Sequence, residues 1–265
     1  MRRETGRVML VGAGPGAADL LTIRALRAIE GAQALLYDAL VCDDVLALAP
    51  KACIRIQTGK RAGKTSIGQD AINRLMLRLA GRGLAVVRLK GGDPSLFGRS
   101  GEERAFLEAH GVAVEIVPGI TAASAAAAQF GFPLTHRGAA RRLTYATART
   151  VDGALVDDGW DHLANPETTV VIYMGRDSAQ AVSARLIAEG RSGGTPALAI
   201  ENASRPDARM IAASLDGLGH AVREAVFDGP VLLIVGDVAR QARAAGLNSS
   251  ASPPPDRDWR SLRVR

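Results

Sequence analysis

Residues 87–103 read VRLKGGDPSLFGRSGEE, and the order of features within them is strand, turn, helix. Leu84–Leu89 is an apolar run interrupted only by Arg88, as a buried strand would be. Gly91, Gly92 and Pro94 break that run, and a charged helix start follows. Such a turn lies at the carboxyl end of a sheet, where α/β proteins bind ligands. Gly91 and Gly92 allow close approach of the backbone to a ligand. Asp93 can accept from a ligand hydroxyl or ammonium, and Pro94 stiffens the turn. Arg99 and Glu102 stand three apart and fall on one helical face. The plain alternative is a capped helix start carrying a surface ion pair.

Working outward, the same alternation recurs. Val8–Val11 ends in glycines and leads into a helical stretch over Asp19–Glu30. Ala34–Tyr37, Ile54–Ile56 and Val112–Val117 read as further buried strands, while Ile72, Leu75, Met76 and Leu79 recur at helical spacing. This alternation predicts a mainly parallel sheet with helices on its faces. The small residues Ala122–Ala128 predict a helix with almost no side-chain bulk, against which another helix or a ligand packs closely. After Leu134 the texture changes. Arg137–Arg142 is polar and basic, Leu143–Thr147 is strand-like, and an irregular loop runs to Pro166. A second block then alternates through Thr169–Tyr173, a helix over 178–189, Ala197–Ile200, Met210–Ala213, a helix over 216–225, and Val231–Val235. The expected organisation is an N-terminal α/β domain over 1–136, a second α/β domain over 137–240, and a basic, disordered tail over 241–265.

Composition narrows the class. At 265 residues the chain has room for one large or two medium α/β domains. Hydrophobic residues at 47% against 23% charged give the balance of a globular protein with a full core. No apolar stretch approaches the ~18 residues of a membrane span, and the first residues lack the apolar region of a signal peptide. Cys42 and Cys53 form neither a CxxC pair nor a disulfide framework, which points to a reducing cytoplasm. The net charge of +6 resembles a nucleic-acid signal until it is located. Residues 1–7 carry +2 and residues 241–265 carry +3, leaving +1 for everything between. Neither nucleic acid nor a membrane is therefore the expected partner.

Three motif-like stretches fail on inspection. Gly12, Gly14 and Ala17 fit the dinucleotide fingerprint GxGxxA, and Asp38 stands where a ribose-binding acid would. Pro15, however, removes an N–H from the loop and makes a poor phosphate cradle. Gly59–Thr65 resembles a P-loop but has three residues, not four, before its Gly-Lys-Thr. Gly190–Gly194 spells GxSxG between a helix and a strand, the reverse of a nucleophile elbow, so it reads as a helix end. The four histidines are scattered without metal-ligand spacing, and no metal site is expected.

GAGPG (12–16), YDALV (37–41), TGKRAG (58–63), QDAIN (69–73), the 87–103 stretch, VPGITAAS (117–124) and FPLTHR (132–137) occur in this order. Together they resemble the uroporphyrinogen-III C-methyltransferase family, within the tetrapyrrole methyltransferases. The similarity runs from about residue 7 to 240 and is strongest up to Arg137. The resemblance implies two α/β domains with the active-site cleft between them, usually as a homodimer. It implies S-adenosylmethionine as methyl donor, and methylation of uroporphyrinogen III at C2 and C7 to give precorrin-2 for cobalamin, sirohaem or haem d1 synthesis. By the same resemblance the donor meets Pro15, Gly91, Gly92, Asp93, Leu96, Thr121 and Ala122, with Met174 and Ala203 from the second domain. Asp38 and Lys60 match a proton acceptor and donor, and Arg99, Glu102 and Arg137 match residues that hold or deprotonate the macrocycle. Arg141 and Arg142 are further candidates for substrate carboxylates. Thr65, Ala148-Arg149 and Ala203 depart from the family's frequent residues. A methyltransferase for another precorrin, a nicotinamide-dependent dehydrogenase and a non-catalytic tetrapyrrole-binding module remain as alternatives.

Overall fold

The computed structural model describes residues 6–59, 67–148, 150–151, 154–155 and 159–243. Its N-terminal half runs β1 (Val8–Gly12), α1 (Ile23–Glu30), β2 (Ala34–Tyr37), α2 (Asp43–Ala47), β3 (Ile54–Gln57), α3 (Gln69–Ala80), β4 (Val86–Lys90), α4 (Ser100–Ala109) and β5 (Val114–Val117). The five strands form one sheet in the order β3-β2-β4-β1-β5, every pair parallel. All residues of β1 and β4 are buried, as expected of parallel strands covered on both faces. Val8, Leu10, Leu36 and Val86 pack under α3 and α4 through Ile72, Met76, Leu79 and Leu107. Met9, Val11, Leu35, Val87 and Leu89 pack on the opposite face against Ala25, Ile29, Val45 and Leu46 of α1 and α2.

One expectation here needs correction. Asp19–Glu30 is not a single helix: a 3-10 turn over Ala18–Leu20 is followed by α1 from Ile23. Thr22 separates them as an N-cap in extended conformation, its Oγ1 accepting from the Ala25 amide at 3.1 Å. The same hydroxyl donates to the Pro118 carbonyl at 3.3 Å and ties the break to the end of β5.

The second half runs α5 (Ala122–Gln129), β6 (Arg142–Thr147), β7 (Thr150–Val151), β8 (Ala154–Leu155), α6 (Trp160–Leu163), β9 (Thr168–Tyr173), α7 (Ala179–Ala188), β10 (Pro196–Glu201), β11 (Arg209–Ser214), α8 (Leu218–Glu224) and β12 (Val231–Val235). Here the parallel expectation fails. The sheet order is β11-β10-β12-β9-β6, and only β6 and β9 pair in parallel. The helices do connect like-directed strands, β9 to β10 through α7 and β11 to β12 through α8. Each crossover skips one position, so the two interleave and sheet neighbours run antiparallel.

One face of this sheet is covered by Trp160, Leu163, Val182, Leu186, Leu218 and Val222 of α6, α7 and α8. The other is covered by α5, whose fully buried Ala123 and Ala126 lie against Val171, Leu198, Ile200 and Ile234. A sheet, rather than another helix, thus packs against the small side chains of Ala123 and Ala126. This packing crosses residue 136. Gly190, at φ +97°, ends α7 before β10, as the helix-end reading of 190–194 requires. Lys60 to Ser66, Arg149 and the tail from Ala244 onward lie outside the described residues. No helix among the described residues is long and apolar enough to cross a membrane.

Candidate active site

The carboxyl ends of β1, β2 and β4 face the second sheet across a cavity of about 690 Å³, within the size range of small-molecule sites. Three backbone turns build its first wall. Gly14 and Gly92 exchange hydrogen bonds of 3.2 and 2.7 Å, and the Ala13 amide donates to the Lys90 carbonyl. These amides are already engaged, which removes them as donors to a phosphate. A Cβ on Gly119 would lie 2.2 Å from the Gly92 carbonyl and 2.9 Å from Gly12 Cα, so this stack of main chains closes only with glycine.

Asp93 clamps the stack. Its Oδ2 accepts from the Gly119 amide at 2.9 Å, and its Oδ1 accepts from the Ser95 amide at 2.7 Å and from the Ser95 hydroxyl. Burial pushes its carboxyl up, but the Ser95 hydroxyl and the Gly119 and Ser95 amides outweigh that and hold it below the usual range. Asp93 therefore shapes the turn first, with lone pairs left for a ligand. Asp38 is placed similarly: Oδ1 accepts from Leu40 N at 3.0 Å and Oδ2 from Gly91 N at 3.1 Å.

Pro15, Asp38, Gly91, Gly92, Asp93, Leu96, Arg99, Thr121, Ala122, Met174 and Ala203 all line the cavity. Thr121 and Tyr173 share a hydrogen bond across it, joining the N-cap of α5 to the end of β9. Burial pushes the Tyr173 phenol up, against the Thr121 bond. From the second sheet, Ser204 Oγ accepts from Ala17 N at 3.1 Å and Arg205 Nη2 donates to the Leu40 carbonyl at 2.8 Å. Arg176 fixes the far wall through the Phe227 and Asp228 carbonyls at 3.3 and 3.2 Å.

Glu102 does not itself line the cavity, but it holds Arg99 there through a two-pronged pair at 2.9 and 2.6 Å. The Arg99 bond keeps the Glu102 carboxyl below its ordinary value. Arg137, Arg141 and Arg142 are exposed and outside the cavity wall, on and just after a turn closed by the His136–Ala140 bridge. Lys60 falls outside the described residues.

Beneath Gly91 lies a charged cluster that the motif reading left unused. Glu103 is wholly buried and accepts from Arg88 Nε at 3.1 Å, Lys90 Nζ at 2.8 Å and Gln69 Nε2 at 3.1 Å. Burial pushes the Lys90 ammonium below its usual value and the Arg88 charge adds to this, while Glu103 and Asp38 oppose it. The signal was in the sequence: two cations two residues apart in an apolar strand share one face, and that face needs a buried anion. Arg205 and Asn202, also in the wall, carried no such signal.

The family model described as Tetrapyrrole (Corrin/Porphyrin) Methylases matches residues 7–219. Uroporphyrinogen-III C-methyltransferase of Paracoccus denitrificans is 42% identical over 96% of this chain and 88% of its own. Siroheme synthase of Azotobacter vinelandii is 46% identical over 90% of this chain, which spans about half (51%) of that longer protein. The crystal structure of uroporphyrin-III C-methyl transferase from Thermus thermophilus complexed with S-adenyl homocysteine superposes with a TM-score of 0.75 at 41% identity, covering 89% of this chain and 99% of that one. A cobalt precorrin-4 methyltransferase reaches a TM-score of 0.78 at 27% identity, over 87% and 94% of the two chains. Two sheets meeting at a glycine-built cavity, and a family match across both of them, lead to one statement: the chain belongs to the tetrapyrrole methylases.

Proposed function

We propose that the chain is an S-adenosylmethionine-dependent uroporphyrinogen-III C-methyltransferase that adds two methyl groups to give precorrin-2. The observation that carries the reading is the convergence of all nine donor-side residues, with Asp38 and Arg99, on one cavity. The names of the Paracoccus and Thermus relatives, and the S-adenyl homocysteine in the latter, support the same substrate and donor.

The residues fit such a donor. A Cβ on Gly92 would meet only Thr121 Cα, at 3.9 Å, so its bare backbone leaves open space beside the wall. Ile200, Ala203, Val231 and Leu232 give an apolar surface opposite. When bound, the donor supplies an electrophilic sulfonium methyl to an electron-rich pyrrole carbon. The chain's task is then mainly alignment. Pro15, Gly91, Gly92, Asp93, Leu96, Thr121, Ala122, Met174 and Ala203 hold the donor. Asp38 is oriented by the Leu40 and Gly91 amides to take the proton that the macrocycle releases. Arg99, steadied by Glu102, meets a substrate carboxylate, with Arg137 as a second carboxylate partner and Lys60 as the proton donor. We further propose a cytoplasmic homodimer, for which the free thiols of Cys42 and Cys53 fit a reducing compartment, and a domain division near residue 136.

Anaerobic incubation with uroporphyrinogen III and labelled S-adenosylmethionine, followed by product mass, tests the activity. A gain of two methyl groups is expected. No gain from a protein that binds S-adenosylhomocysteine would refute the substrate and leave another precorrin in its place.

A further inference from the structure

Two apolar residues of the cavity wall stand exposed on a left-handed backbone. Met174, 63% exposed at φ +56°, already has a donor-side role; Phe97, 41% exposed at φ +54°, has none. A bulky residue at positive φ is a strained choice, and glycine would take that conformation freely. Glycines occur at 91, 92 and 98 of the same turn, yet the strained position carries a phenyl ring. Such strain persists where surroundings over-determine it, and it concentrates at ligand-binding sites.

The surroundings of the ring fit that description. On one flank it packs against Tyr173, with centroids 5.3 Å apart and planes tilted by 54°. Tyr173 is fixed in turn by an edge-on contact with Tyr145 at 5.8 Å and by its hydrogen bond to Thr121. Phe97 lines the cavity, with Arg99 two residues along in the same wall. A rigid aromatic surface beside a cation is complementary to a ring system of electron-rich pyrroles with carboxylates at its rim.

We propose that Phe97 is a substrate-holding residue, its ring packing against a pyrrole of the macrocycle while Arg99 takes a peripheral carboxylate. This rests on the methyltransferase reading above. The left-handed backbone aims the ring into the cavity, and the Tyr173–Tyr145 pair stops it from retreating.

The test compares Phe97→Gly, Phe97→Leu and Phe97→Tyr in the full chain, with uroporphyrinogen III as substrate and S-adenosylhomocysteine binding measured separately by calorimetry. Removing an aromatic contact raises KM for the macrocycle by about five- to tenfold in the Gly and Leu variants. Their kcat changes less than their KM, donor Kd stays within about twofold, and Phe97→Tyr restores KM. Unchanged KM in the Gly and Leu variants would overturn the assignment. So would equal KM in Leu and Tyr, because a ring is then not required. Parallel loss of donor affinity would also overturn it, because the ring then props the donor site. A wild-type protein that transfers no methyl group sinks the underlying reading and this assignment with it. An active wild type with indifferent Phe97 variants sinks the assignment alone.

Discussion

Glu103→Gln is the perturbation whose size the structure specifies best. The Glu103 carboxylate is wholly buried, and Arg88 and Lys90, each about 5% exposed, both close on it. Replacing it with an amide keeps the shape and one acceptor oxygen. It leaves two like charges on the same face of β4 with no anion between them. Removing one partner of a buried pair destabilises by about 3–5 kcal/mol, and the retained amide oxygen puts this case at the lower end, about 3 kcal/mol. For a chain of this size that corresponds to a fall in Tm of roughly 6–12 °C. Urea unfolding of the wild type, Glu103→Gln, Lys90→Met and the double variant measures both the loss and its origin. With Lys90 neutralised, only Arg88 is left unpaired, so Glu103→Gln should then cost at least about 1 kcal/mol less. A Glu103→Gln variant that melts within about 1 °C of wild type, or a cycle with no coupling, would refute the charge argument.

Two further outcomes follow from the glycine stack and its clamp. Asp93 is held below the usual carboxyl range in the folded chain, so its stabilisation is full at neutral pH and lost as pH falls through the folded value, below 3.8. Urea midpoints at pH 7, 5, 4 and 3 should therefore show Asp93→Asn about 1–2 kcal/mol weaker at pH 7, with the gap closing below pH 4. A gap that stays constant or widens with acid contradicts the assignment. Gly119→Ala drives a methyl to 2.2 Å from the Gly92 carbonyl and 2.9 Å from Gly12 Cα. Backbone on both sides cannot retreat cheaply, and about 3 kcal/mol of stability should be lost together with donor binding. An Ala variant with native Tm and donor affinity would show that the turns separate more easily than their contacts imply.

How much of this was legible in the sequence depended on where each contact's partners lie. The first sheet could be read because its central strands are buried on both faces and stand out as local apolar runs, Val8–Val11 unbroken and Val86–Leu89 broken only by Arg88. The second sheet could not be read beyond its elements, because strand direction there follows from two interleaved crossovers that no local pattern encodes. The Asp19–Glu30 expectation failed on Thr22, whose capping role is written into its residue type but is fixed by Pro118, 96 positions away. At the site, the 91–99 turn was legible because its chemistry is contiguous. Thr121–Tyr173 and Leu40–Arg205 are separated by 52 and 165 positions, and no local motif encodes either pairing. Arg137 illustrates the opposite case: motif spacing selected it, yet its side chain is exposed and outside the cavity wall.

The distribution of strain ties these observations together. Among the described residues, six other than glycine adopt positive φ: Phe97, Arg99, Met174, Asn202, Ser204 and Val226. Four of them line the cavity, and Ser204 holds the Ala17 amide beside it. Each such residue is destabilising by roughly 1–3 kcal/mol, so their grouping is not what packing alone would produce. The surroundings hold several of them in place. Arg99 is paired with Glu102, Asn202 donates to Asp207 at 2.7 Å, and Ser204 N donates to Gln129 at 2.8 Å. The two sheets supply the compensating stability through fully buried strands on each side. In a tetrapyrrole methylase this arrangement has a clear consequence. The wall residues are aimed before any ligand arrives, so ligand binding need not also order the residues that contact it.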